Sequence, residues 1–192
     1  MFHDPTSHTG PTGTTEGTGM ATLITRHNMS VSAEDPAIAL DSYPPLDTHI
    51  GPVIGNALRD IAATDTGVVY ISTIQNMAHI LVTVEVWDTE PKSDPAREGW
   101  HVLPTMDVEW PTRAVMLRAP YDVAGPNASI ELPTTGLYRV SVAHRGRDEA
   151  SERDRQLNQR LDALSLAEIR QVTSEYHDLE QYLIRMWRHA AH

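Results

Sequence analysis

The chain has 192 residues, of which 40% are apolar, 21% charged and 6% aromatic. That suits one compact domain and is too apolar for wholesale disorder, and no run approaches the roughly 20 apolar residues of a membrane-spanning helix. The absence of cysteine excludes disulfides, thiolate catalysis and cysteine-ligated metal centres, and a net charge of -11 argues against a nucleic-acid binder that relies on a basic surface.

The charge is uneven. Up to Trp100 there are 13 acids and 4 bases, and after it 13 acids and 11 bases. Lys92 is the one lysine, so almost all positive charge is arginine, which suits bidentate ion pairing.

Residues 1–20 read as a disordered tail rich in threonine, glycine and proline, with too little apolar surface to offset the entropy of ordering it. The stretch has neither the basic cluster nor the apolar segment of a secretory signal, so a cytoplasmic location is expected. Met20, which directly follows the stretch Met1 to Gly19, is a candidate translation start. Residues 21–188 are expected to form a single domain.

From Ala21, Leu23, Met29 and Val31 share one parity of a strand. Asp35-Pro36 and Tyr43-Pro44-Pro45 then interrupt regular structure, since proline fixes φ and donates no hydrogen bond. Ile54, Ala57, Leu58 and Ile61 have helical spacing over Val53 to Ala63. Val68 to Thr73 reads as a strand that turns around Gln75-Asn76 to pair with the next. Ile80, Val82, Val84 and Val86 make the clearest period-two row, a half-buried strand that ends at Trp87. Polar Lys92 to Gly99 reads as an exposed loop. Strand-like runs follow at Trp100–Leu103, Ala114–Arg118, Ser129–Leu132 and Leu137–Ala143, at the spacing of a sandwich.

Between about residues 150 and 178, Leu157, Leu161, Leu164 and Val172 lie close to one helical face, predicting one amphipathic helix. Glu180 to Trp187 is apolar at both parities and predicts a central strand. The fold expected is mainly β: an antiparallel β-sandwich with one amphipathic helix inserted before the last strand.

Chemistry is sparse. GxxxxGK[ST], GxGxxG, GxSxG, HExxH and HxH are all missing. His79, His101 and His144 flank strands, and Asp107 with Glu109 share a face if extended, which is the raw material of a small metal-dependent hydrolase. Ordinary strand-end hydrogen bonding is the preferred reading of the histidines and a solvated strand face explains the carboxylates equally well, so no catalytic, cofactor or metal residue is assigned. Arg139 and Arg145 share a strand face and precede Arg147-Asp148, which together are candidate partner-binding residues for a carboxylate or phosphate. The preferred reading is structural, with these arginines paired to nearby acids of this domain and fixing its last strands.

The string GLYRVSVAHRGRDEA (Gly136 to Ala150), the later EQYLIRMW (Glu180 to Trp187) and VTVEVWDTEP (Val82 to Pro91) resemble the competence protein J-like family. These are small bacterial proteins common in actinomycetes. The resemblance implies a β-sandwich that works by binding another protein, as a nuclease inhibitor does, and carries no residue-level site. This chain departs from the family pattern in its helical insertion and in Arg188-His189 after the last tryptophan.

The reading that follows is a non-catalytic protein-binding module, an inhibitor or immunity-type protein that masks a basic effector such as a nuclease. It needs no cofactor, binds neither nucleic acid nor membrane directly, and is monomeric or homodimeric alone. The alternative is a structural or assembly subunit of a larger, phage-like complex.

Overall fold

The computed structural model describes residues 20–33, 36–46, 51–75, 78–119 and 129–189. The expected tail lies outside them apart from Met20, which is exposed. Among these residues eleven strands form two sheets. One contains β1 (Leu23–Ala33), β5 (Ala78–Trp87), β11 (Gln181–Arg188), β10 (Gly136–Arg145) and β6 (His101–Val102) in that order, with β7 (Met106–Trp110) also on β10. The other runs β3 (Ala62–Asp65), β4 (Val68–Ser72), β2 (Ala37–Ser42), β8 (Ala114–Arg118), β9 (Ser129–Glu131).

The rows read by period two face each other. Ile80, Val82, Val84 and Val86 of β5, Tyr182, Ile184 and Met186 of β11, and Tyr138, Val140 and Val142 of β10 pack on Ile38, Leu40, Val69, Ile71, Val115 and Leu117 of the opposite sheet. Such burial is worth about 25 cal/mol per Å² of apolar surface. The Tyr138 hydroxyl donates to the Thr134 carbonyl at 2.8 Å, tying the turn before β10 to the core. Sandwich and mainly β character are as the periodicity predicts.

Helix α1 (Gly51–Asp60) is close to the predicted helix and lays Val53 and Ala57 over the outer side of the five-stranded sheet, against Ala39, Ala63 and Tyr70. It stops at Ile61, whose φ of 71° is left-handed and costly for a β-branched residue. The chain then enters β3.

Four expectations need correction. Val68–Ser72 does not form a hairpin with β5: β4 lies in the other sheet between β2 and β3, and the chain crosses the sandwich before Ala78. Asn76 of the expected turn lies outside the described residues. The expected long helix is three pieces, α2 (Arg147–Asn158), a 3-10 turn (Leu161–Ala163) and α3 (Leu166–Ser174). Leu164 is extended, and Ser165 starts α3 afresh with a capping box closed by Glu168. All strand pairs are antiparallel except β5 with β11, which are parallel because the insertion returns the chain to the middle of the sheet. Lastly, the Lys92–Gly99 loop is not wholly exposed: Pro95 is buried in a 3-10 turn capped by Asp94.

Among the described residues no helix is long and apolar enough to cross a membrane. Ile184 sits at the centre of the shared core, so Ile184→Ala should lower the unfolding free energy by about 2–5 kcal/mol. Exposed Leu166→Ala should change it by less than about 0.5 kcal/mol, both read from urea midpoints.

Candidate protein-binding surface

The five-stranded sheet is covered outside by α1. The outer side of the six-stranded sheet carries instead Arg26 and Asn28 of β1, Thr83, Glu85 and Trp87 of β5, Leu183 and Arg185 of β11, and Arg139 and Arg145 of β10. At its centre Glu85 is only 1% exposed. Its carboxylate accepts from Arg26 Nε at 3.0 Å and also from Arg26 Nη2, from Arg185 Nε at 3.0 Å and from Trp87 Nε1 at 2.9 Å. A buried carboxylate is stable only when its lone pairs are filled in this way.

Arg185 also donates from Nη1 to the Ser93 carbonyl at 2.9 Å, which pins the 88–100 connection over the sheet. At the end of that connection Trp100 lies under the Arg145 guanidinium, 4.4 Å from the ring centroid. Between β1 and this connection is an open hollow of about 270 Å³ with Thr83, Glu85, Leu183 and Arg185 among its lining. Tryptophan and arginine held rigid around a shallow hollow is the composition of protein-recognition surfaces.

The four candidate arginine-cluster residues divide. Arg139 and Arg145 project from the same side of β10, as their parity predicts, with Arg139 3.5 Å from Asp107 and Arg145 bonded to Gln181. Arg147 leaves that side. Gly146 adopts φ 78°, and a Cβ there would lie 1.9 Å from the Leu179 carbonyl, so only glycine lets the chain turn this close to the Leu179–Glu180 backbone. The turn delivers Arg147 Nη1 to the Ser72 carbonyl at 2.6 Å, Glu180 Oε1 at 2.8 Å and the Tyr182 hydroxyl. Glu180, with no exposed surface, also accepts the backbone amides of Ile74 and Gln75, each at 3.0 Å, and the Tyr182 hydroxyl at 2.5 Å. Burial and the Glu180 charge push the Tyr182 hydroxyl well above the usual range. Asp148 stays exposed in the first turn of α2.

The histidines are separated. His101 and His144 are cross-strand partners, stacked with centroids 5.3 Å apart. They border a hollow of about 290 Å³ with Gly146, Arg147, Asp148 and Glu149. His79 lies two strands away on β5, edge-on to His177 at 4.6 Å. Asp107 faces Arg139 and His189 on β7. Among the described residues no three His, Asp or Glu are placed to hold a metal ion.

The Glu85 and Glu180 clusters escape the sequence because their partners are distant along the chain, from 33 to 106 residues away in all but two contacts. The usable signal was a glutamate inside the β5 row next to apolar neighbours.

No family model and no curated protein matches the chain. Among solved structures it is similar to ComJ of Bacillus subtilis, described as an inhibitor of the DNA-degrading activity of NucA. That likeness has a TM-score of 0.47 and 13% identity over 89% of this chain and 100% of that one. It is also similar to the protein described as crocagin biosynthetic gene J, with a TM-score of 0.46 and 8% identity over 88% of this chain and 99% of that one.

Two outcomes test the site. Glu85→Ala leaves Arg185 buried without its counter-charge and should cost about 3–5 kcal/mol in chemical unfolding. Burial above all, then Arg147 and His101, lowers the His144 imidazole to about 4 from 6.5. The neutral ring is therefore favoured in the fold: its contribution is complete above pH 6.5 and is lost as the pH falls towards 4, because the unfolded chain takes up the proton first. His144→Gln should flatten the stability profile across that window.

Proposed function

We propose that this chain is a non-catalytic protein-binding module of inhibitor or immunity type, and that its partner is a basic protein. The observation that carries the reading is where the arginines go. Arg26 and Arg185 are drawn to Glu85, Arg118 to Asp41, Arg147 to Glu180, Arg113 to Glu131 and Arg139 to Asp107. Glu90, Glu98, Glu109, Asp162 and Glu175 are exposed and have no ion pair among the described residues. Positive charge is thus largely neutralised within the fold, and the exterior of a chain carrying -11 is anionic. Such a field speeds encounter with a cationic partner and rejects acidic ones, even where it adds little net affinity. The rigid tryptophan and arginine lining of the outer sheet supplies short-range contacts for the same encounter.

The test is capture on the immobilised full chain followed by kinetics with the purified partner. A protein with an isoelectric point above about 9 should be retained, with an association rate that falls at least tenfold between low and high salt while dissociation changes little. An association rate indifferent to salt would refute the electrostatic reading.

A further inference from the structure

The longest free sheet edge among the described residues is β1. It pairs with β5 along its length and with no described strand on its other flank. In an antiparallel ladder alternate residues direct N–H and C=O to each side, so about half of the backbone groups of β1 point outward. Natural sheets usually protect such an edge by keeping it short, bulged, charged or interrupted by proline. The edge strands β3 and β9 have 4 and 3 residues and β6 has 2, whereas β1 has 11. Between Leu23 and Ala33 there is no proline, lysine or acid, and the register is regular from Thr25 onward. Its one formal charge, Arg26, is committed to Glu85. Met29 and Val31 pack against the core yet are only partly buried, so a strand laid beside β1 would finish covering them.

Charge chooses the occupant. At the Leu23 end, the Asp88 carboxylate accepts from the Thr22 amide at 2.7 Å, and exposed Glu90 follows two residues on. The edge is a neutral ladder with acids at its Leu23 end. A second copy pairing there would bring together two bodies each carrying -11. We propose that β1 accepts, as an added strand, an extended segment of a partner protein that alternates apolar and polar residues and bears lysine or arginine at the end that lies beside Asp88 and Glu90. This mode uses main-chain hydrogen bonds for affinity and flanking charges for selection. It rests on the protein-binding reading and names the form in which that partner is held.

The experiment titrates the isotopically labelled full chain with a capped peptide of alternating threonine and valine with lysines at one end, followed by amide shifts and hydrogen exchange. Shifts and at least tenfold slower exchange should concentrate in residues 25–33. Methylating alternate peptide nitrogens, or replacing the terminal lysines by glutamates, should each weaken binding at least tenfold. Equal binding of the methylated peptide, or perturbation elsewhere with β1 unchanged, overturns the proposal. So does a concentration-dependent dimer of the chain alone with β1 amides protected, which would make the second copy the occupant. A basic partner that binds with β1 exchange unaltered defeats this inference and leaves the protein-binding reading standing, whereas failure of every basic protein to bind defeats that reading.

Discussion

Everything at one end of the sandwich depends on a carboxylate removed from water. Glu180 gathers the amides after β4, the guanidinium that opens α2 and the phenol of β11, so three separate parts of the chain converge on one negative charge. Desolvating a carboxylate is expensive, and only a full set of donors makes it tolerable. The geometry of those donors then leaves little freedom to the segments that carry them. Gly146 belongs to the same constraint, because the turn that aims Arg147 passes within contact of the Leu179–Glu180 backbone.

The two buried glutamates share a logic with different results. Glu180 locks the end of the body where the helical insertion departs, and the insertion is tied down there through Gln75 to Tyr176 and through Asp178 to His79. Glu85 locks the open side of the six-stranded sheet, holding Arg26, Arg185 and Trp87 in fixed positions around the hollow. Both use arginines that a surface reading would count as free cations. What remains outside is the surplus of acids, whose net charge of -11 is set by composition.

Much of the architecture was legible because β-branched residues alternate in β5 and β10, and because β11 is apolar at both parities, as a strand flanked on both sides must be. Strand β2 was not: AIALDS lies between two prolines, and its small residues give no period although all six positions are buried. The assignment of β4 failed because neighbouring strands usually pair, while the crossing between sheets depends on distant partners. The break in the helix had a local signature, Ser165 with Glu168, masked by leucines at 157, 161 and 164 whose spacing imitates one continuous face. For the site, strand parity placed Arg139 and Arg145 correctly on one face. Nothing local distinguishes Arg147, whose partner is 33 residues away.

The placement of β11 bears on how the molecule is made. It is the last of the described strands, yet it sits between β5 and β10 and is bonded to both. During synthesis the two halves of that sheet therefore emerge unconnected, each with a bare apolar margin, and wait for residues 181–188 to leave the ribosome. Closure over so long a sequence separation is slow. A nascent chain stalled before this point would expose sticky strands to chaperones, proteases or its own neighbours on the polysome.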